Sequence, residues 1–427
     1  MSNIAFITIL LFSMLLMSVP IGISLGIATL STIWLYTTTP TYIVIQNIFS
    51  GLNSFALLAI PFFMLAGSLM GVGGISRRIV SFCDALIGAV TGGLGMVAIV
   101  ASMFFAAISG SAPATVTAIG GMMIPEMEKH GYDKPYATAL TAAAGTIGII
   151  IPPSIPFVIY CVVAGESVGT LFIAGIMPGI LIGIGLMVVN YFTSKKNGYV
   201  SVKRSERPNL WKAFRESFWA LLAPVIILGG IYSGIFTPTE SAVVAVFYSL
   251  VVGAFVYHEL NFKTLYEALR GTGEINGAAS LAVGLSLAFA SYLNMAQIPI
   301  QVGRFITATI SSDTLIILFI LLILLIVGLF VDNISSCLIL TPIFLPIVKA
   351  IGYDPIHFGV IMTVALAIGF VTPPFGSNLF VASAITGLKI EAICSRVGFF
   401  IVSMLICLLL ITFIEPISMS LVHLMKN

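Results

Sequence analysis

The sequence predicts an all-α polytopic membrane protein made of two inverted repeats, each carrying a re-entrant helical hairpin and a broken helix. Three observations lead there: an apolar composition, paired prolines inside two long apolar runs, and motifs that recur at one fixed spacing. Of 427 residues, 59% are hydrophobic and 8% are charged, with a mean hydropathy of +1.15. Soluble domains carry about 25% charged residues, so lipid must be the solvent for most of this chain. At roughly 20 residues per span, the length allows about a dozen membrane segments and no large globular domain. The net charge of +2 comes without a basic tract long enough to suggest nucleic acid. The five cysteines lack CxxC spacing and read as small hydrophobes, and the four histidines are scattered, so no metal or haem site is expected from them.

The apolar run from Ile4 to Tyr36 has no charged leader or cleavage site and is too long for a signal peptide. It predicts a retained first span and a second that begins near Pro20. Lysine and arginine then orient the chain. The stretch holding Lys195, Lys196, Lys203, Arg204, Arg207, Lys212 and Arg215 is placed in the cytoplasm. Leu171–Phe192 therefore runs inward, Tyr136–Ala164 outward, and Phe55–Met70 inward, leaving Arg77, Arg78, Lys129 and Lys134 cytoplasmic. Thr91–Pro125 has both ends inside and cannot cross once, so it is expected to dip in as a hairpin turning at Ser109–Thr115. Downstream, Trp219–Phe236 goes out, Ala242–Val256 returns, and Ile275–Met295 goes out again. Thr314–Leu345 forms a second hairpin from the periplasmic side, Phe358–Ile385 crosses inward, and Ile393–Ile414 crosses outward. On this map both termini are periplasmic, and of 18 basic residues only Arg304, Lys349 and Lys426 lie outside the cytoplasm.

An offset of 221 residues aligns the two halves without gaps over their most distinctive parts. It carries Pro125 onto Pro346, Gly131-Tyr132-Asp133 onto Gly352-Tyr353-Asp354, Gly148 onto Gly369, and Pro152-Pro153 onto Pro373-Pro374. The Gly110–Thr115 turn falls on Val331–Ser336. Each half has an odd number of crossings, so the second is inserted upside down, the inverted-repeat design of many secondary transporters.

A Pro-Pro pair in mid-span removes two backbone donors and clashes with preceding carbonyls. The freed carbonyls must be buried in protein or line a wet cavity. A simple proline kink predicts neither the doubling nor its repetition. The breaks Ile149–Pro156 and Phe370–Asn378 are flanked by small or polar residues: Gly148, Ser154, Gly369, Thr372, Gly376, Ser377 and Asn378. The hairpin turns add Ser109, Ser111 and Thr115, then Asp332, Asn333, Ser335 and Ser336. Pro113 suits the first turn of a returning half-helix with hydroxyls before it as caps. Hydroxyls and unwound carbonyls are hard ligands fit for Na⁺, and half-helix N-termini suit a carboxylate. Na⁺ ligands are expected among Ser109, Ser111, Thr115, Gly148, Pro152, Asp332, Asn333, Ser335, Ser336, Gly369, Thr372 and Gly376. Substrate contacts are expected from Ser111, Ala112, Ser154, Pro156, Asn333, Ser377 and Asn378. Local capping that merely satisfies each turn is the competing reading. Asp332, the one acid expected at mid-depth, has three candidate roles: Na⁺ ligand, proton carrier and N-cap. Glu240 is expected to cap a helix or touch another subunit. Neither hairpin nor break holds Lys or Arg. Gly74–Leu86 and Ile298–Ile310 read as interfacial arms.

Gly110-Ser111-Ala112-Pro113-Ala114-Thr115 with Met123-Ile124-Pro125, then Ile151-Pro152-Pro153-Ser154-Ile155-Pro156, and Gly234-Ile235-Phe236-Thr237-Pro238-Thr239-Glu240 resemble the large membrane subunit of tripartite ATP-independent periplasmic (TRAP) transporters. The resemblance covers essentially the whole chain. It implies an ion-transporter-like fold with an elevator mechanism, Na⁺-coupled uptake of an organic acid with at least two Na⁺ sites, and a bacterial inner-membrane location. It also implies two protein partners: a periplasmic substrate-binding protein and a separate small four-helix membrane subunit, required because no extra N-terminal helices are present. Sialic acid is the favoured substrate, with C4-dicarboxylates and other carboxylates as alternatives. Scaffold is expected at 1–90 and 218–312, transport-domain segments at 91–193 and 313–427, and a cytoplasmic loop at 194–217. The rival reading is a Na⁺/carboxylate or anion carrier that needs no binding protein. An intramembrane enzyme lacks a nucleophile–base pair or clustered acids at mid-depth, and a channel fits paired broken helices poorly.

Overall fold

The structure, a computed structural model, describes residues 3–17, 19–199, 209–310 and 312–426. The described residues form helices joined by turns and short irregular stretches, with no strand among them, and eight of these helices are long and apolar enough to cross a membrane. Shorter apolar helices supply further segments, among them Ile155–Ala164, Pro355–Gly369 and Ser377–Thr386.

The order of elements recurs. Asn3–Leu16 and Ile21–Tyr36 correspond to Leu210–Tyr232 and Pro238–Val251. Tyr42–Leu52 and Ala59–Val72, joined through Phe55–Leu58, correspond to the single helix Phe262–Met295. The arms are Ile75–Ile87 and Ile298–Thr309. The first hairpin pairs Gly93–Ser109 with Ala112–Thr115, a π turn Val116–Gly120, and Gly121–Lys129; the second pairs Asp313–Phe330 with Asn333–Ala350. The broken helices are Lys134–Gly145 with Thr146–Ile149, then Ile155–Ala164; and Pro355–Gly369, then Ser377–Thr386. Val168–Asn197 and Ile390–Phe413 close the two halves, and Pro416–Lys426 ends the chain. The separate helix Tyr42–Leu52 and the last helix were not expected from the sequence. The middle of the basic loop, with Lys203, Arg204 and Arg207, lies outside the described residues.

The spacing of 221 holds only as far as the prolines. Pro152-Pro153 and Pro373-Pro374 are both cis. Beyond them the second half carries one additional residue, so the helix caps Ser154 and Gly376, and then Ser167 and Lys389, are 222 apart. Burial follows the same spacing. Leu171, Gly175, Pro178, Ile182, Leu186 and Asn190 are buried on one closing helix, and their partners at 222, Ile393, Val397, Phe400, Met404, Leu408 and Thr412, are buried on the other. The single offset that aligns the most distinctive motifs therefore ends at the break.

Local chemistry explains the boundaries. Thr237 and Glu240 form a reciprocal capping box at Pro238–Val251, which gives Glu240 the capping role expected of it. Asp354 caps Pro355–Gly369 through the amides of Ile356 and His357, at 2.7 and 3.2 Å. The first arm is pinned at its start: Arg77 and Arg78 pair with Glu259 at 2.9 and 2.7 Å, and the Arg78 guanidinium lies 3.6 Å from the Tyr257 ring centre. The two halves interlock, with Ser377–Thr386 packed on Lys134–Gly145 and Ile155–Ala164 on Asn333–Ala350.

Asp313–Phe330 and Pro355–Gly369 touch backbone to backbone where Gly328 meets Gly369, and a Cβ on Gly369 would overlap Gly328 main-chain atoms. Gly369→Ala is expected to cost about 1–3 kcal/mol by overpacking. Gly398→Ala, which has open space around it, is expected to be neutral or slightly stabilising. Thermal melting of both variants in detergent checks the contrast.

Candidate binding site at the hairpin turns and helix breaks

In the first half the hairpin turn closes over the break. Gly110 ends the first limb at φ +62, a conformation glycine adopts without strain. Its carbonyl accepts from the Ile155 amide at 3.3 Å, and a Cβ there would stand 2.8 Å from the Pro153 oxygen. Ser111 caps the returning helix by accepting from the Ala114 amide at 3.5 Å. The Thr115 hydroxyl donates to the Ser111 carbonyl at 2.8 Å and lies 3.2 Å from the Ser109 hydroxyl. Gly148 presses against this group, since a Cβ on it would overlap the Thr115 hydroxyl and lie 2.6 Å from the Ser111 oxygen. Ser154 donates to the Ile149 carbonyl at 2.6 Å and caps the second half-helix through the Phe157 amide at 3.4 Å. Ala112, Pro152, Ser154 and Pro156 are all buried. The structure thus brings Ser109, Ser111, Thr115 and Gly148 together, with the Ser109 and Thr115 hydroxyls satisfied within the group and the Ser111 hydroxyl by the Ala114 amide.

The second half uses different chemistry. Asp332 caps Asn333–Ala350, its Oδ1 accepting from the Ser335 amide at 3.0 Å. Of its three candidate roles, the structure contains the N-cap, and its side chain is exposed at the surface of the chain. Asn333 Oδ1 accepts from the Cys337 thiol at 3.3 Å, but Asn333 Nδ2 and the Ser335 and Ser336 hydroxyls are buried without partners. In the break, Thr372 donates to Ile368 O at 2.7 Å, while the Ser377 hydroxyl and Asn378 Oδ1 are again buried and unpaired. Asn378 Nδ2 reaches across to the Ala142 carbonyl of the first broken helix at 3.1 Å. Each unpaired buried polar atom costs roughly 1–3 kcal/mol. Their concentration on one turn and one half-helix start is the arrangement a polar or ionic ligand would complete.

The first turn is neutral Ser-Gly-Ser and the second carries Asp-Asn, and the two halves differ in packing as well as in charge. Gly148 abuts its hairpin turn, whereas Gly369 abuts Gly328, four residues before Asp332. Gly376 packs into its own break, where a Cβ would stand 2.5 Å from the Phe370 oxygen. The first turn is sealed. The second is open, with Asp332 exposed and the exposed rings of Phe330 and Phe375 lying 5.2 Å apart. Sequence reasoning missed these two rings, and also Gly67 and Gly145. A Cβ on Gly67 would sit 3.1 Å from Ser109 Cα, and one on Gly145 would overlap the Val116 side chain. The small-residue runs Ala66-Gly67-Ser68 and Ala142–Gly145 were the available signal, since such runs let helices approach closely.

Residues 8–417 match the family described as tripartite ATP-independent periplasmic transporter, DctM component. The chain is 44% identical over 406 residues to the isethionate TRAP transporter permease protein DctMQ of Oleidesulfovibrio alaskensis, covering 95% of this chain and 64% of that protein. It is 40% identical over 398 residues to the C4-dicarboxylate TRAP transporter large permease protein DctM of Pseudomonas aeruginosa, covering 93% of each. Over 399 residues it is 39% identical to the sialic acid TRAP transporter large permease protein SiaM of Vibrio cholerae, again covering 93% of each. Among solved structures, the Alcanivorax borkumensis YdaH transporter aligns with a TM-score of 0.62 at 14% identity over 90% of each chain, a likeness of fold.

The difference in satisfaction between the turns has a measurable consequence. Ser154→Ala, which leaves the Ile149 carbonyl and Phe157 amide short of a partner, is expected to lower stability by about 1–3 kcal/mol. Ser335→Ala removes a hydroxyl that has no partner and is expected to cause no loss. Thermal unfolding midpoints of the two ligand-free variants separate these outcomes.

Proposed function

This chain belongs to the DctM component family of tripartite ATP-independent periplasmic transporters, and on that premise we propose that it is the large permease for Na⁺-coupled uptake of an organic anion. The observation that carries the proposal is the set of unpaired buried groups on Asn333, Ser335, Ser336, Ser377 and Asn378 beside the N-termini of two half-helices. Helix N-termini and amide or hydroxyl donors suit an anion in a site without lysine or arginine. The exposed Asp332 carboxylate and the carbonyls of the breaks are hard oxygen donors suited to Na⁺. The satisfied cluster of Ser109, Ser111, Thr115 and Gly148 would supply a second, neutral ion site, so the two sites are expected to be non-equivalent.

The relatives named above are described for isethionate, a C4-dicarboxylate and sialic acid. All three are organic anions, which supports the class. Sialic acid remains one member of that class. We place the protein in the bacterial inner membrane with periplasmic termini, working with a small membrane subunit and a periplasmic binding protein. Segments 91–193 and 313–427 would move as an elevator against a scaffold of 1–90 and 218–312, related to each other as inverted repeats.

The test is reconstitution of this chain with its small partner in proteoliposomes, with an inward Na⁺ gradient and labelled isethionate, succinate or sialic acid, with and without the binding protein. Uptake of free substrate without the binding protein would overturn the tripartite reading, and uptake indifferent to Na⁺ would overturn the coupling. Asp332→Ala and Ser111→Ala are each expected to lower uptake with expression retained. Each should raise the half-maximal Na⁺ concentration about tenfold, the scale of one lost contact to a charged group. Unchanged Na⁺ titrations in both variants would remove these turns from the ion sites.

A further inference from the structure

Away from the turns, a furrow of about 700 Å³ runs between the two closing helices, Val168–Asn197 and Ile390–Phe413. Its sides are apolar and outward-facing, with Ile184, Val188 and Phe192 on one helix opposite Phe399, Val402 and Ile406 on the other, all exposed. One end is different. Thr193, Lys196 and Asn197 face Ser395 and Arg396 there. Arg396 pairs with Asp133 at 3.0 Å and remains about half exposed, while Lys196 has no ion-pair partner among the described residues. Lys195 stands next to it in the last turn of the helix. Two or three cations against one carboxylate leave this end net positive.

The dimensions select an occupant. From Leu181 to Lys196 the helix rises about 22 Å at 1.5 Å per residue, and one leaflet contributes about half of a 30 Å hydrocarbon core. An acyl chain fits along the walls with its headgroup at Lys196 and Arg396. A packed helix would use the walls but leave the cations unanswered. A small free anion would use the cations but leave the walls unanswered. We propose that this furrow is a binding site for an anionic phospholipid, with acyl chains between Val188 and Val402 and the phosphate at Lys196 and Arg396. Basic pockets at the ends of membrane helices hold anionic headgroups by this combination of charge and apolar contact, and the basic-rich end is the one placed in the cytoplasm by the distribution of lysine and arginine.

Native mass spectrometry of the purified full chain, titrated in detergent with dioleoyl-phosphatidylglycerol or dioleoyl-phosphatidylethanolamine, tests this. The wild type is expected to retain phosphatidylglycerol preferentially, by about five-fold for each engaged basic residue. Lys196→Gln with Arg396→Gln should abolish the preference, and Lys196→Gln alone should reduce it if the double variant fails to fold. Val188→Trp with Val402→Trp, which fills the furrow from exposed positions, should reduce retention of both lipids. Equal retention of the two lipids by the wild type would mark the furrow as ordinary bulk-lipid surface and overturn the proposal. Phosphatidylglycerol binding unchanged in the charge and furrow variants would overturn it, as would a mass of two copies lost on furrow filling.

Discussion

A helix broken in mid-membrane must satisfy its freed backbone groups from within the protein, and the architecture around the two Pro-Pro pairs follows from how this is done. In the first half, Ser154 takes up the Ile149 carbonyl and the Ile155 amide is bound by Gly110 of the hairpin. The hairpin turn is therefore part of the break's own hydrogen bonding. In the second half the break closes on itself: Asn378 N bonds Phe370 O at 3.0 Å and Gly376 N bonds Thr372 O at 3.2 Å. Its hairpin is released from that duty, and the turn keeps Asp332 exposed while Asn333 Nδ2 and the Ser335 and Ser336 hydroxyls stay buried without partners.

The two halves nevertheless depend on one another. Asn378 crosses to the Ala142 carbonyl, and each second half-helix packs on an element of the other repeat. A substitution in one break therefore acts on the surroundings of both. Close approach at Gly148 and Gly369 serves opposite ends: at Gly148 it admits a turn, at Gly369 it admits another helix's backbone.

Much of this was legible in the sequence. Paired prolines, hydroxyl caps and the recurrence of Gly-Tyr-Asp pointed to both helix pairs and both breaks, and the turns expected at Ser109–Thr115 and Asp332–Ser336 begin within two residues of the observed helix ends at Ser109 and Phe330. Spacing alone could not say which hydroxyls would be satisfied, because Ser109, Ser111 and Ser335 are alike as letters. Their difference arises from three-dimensional proximity to Thr115 or to nothing. The change of register was invisible for a related reason: the helices beyond the break have few sequence landmarks, and only burial of Leu171 with Ile393, or Asn190 with Thr412, reveals it. The furrow was equally hidden, since Lys196 and Arg396 lie 200 positions apart in the chain.

The residue responsible for that change of register lies between Pro374 and Gly376, where the first half passes directly from Pro153 to Ser154. It is Phe375, whose ring meets Phe330 at the open mouth. In the proposed inverted arrangement, a perfectly duplicated chain would look the same from either side of the bilayer and would have no built-in sense of direction. The halves depart from one another at several points, in the separate helix Tyr42–Leu52, in the π turn Val116–Gly120 and at Phe375, and the last of these lies at the rim of the second turn. Polarity in such a molecule can thus originate in small departures from symmetry, one of them placed beside the second turn.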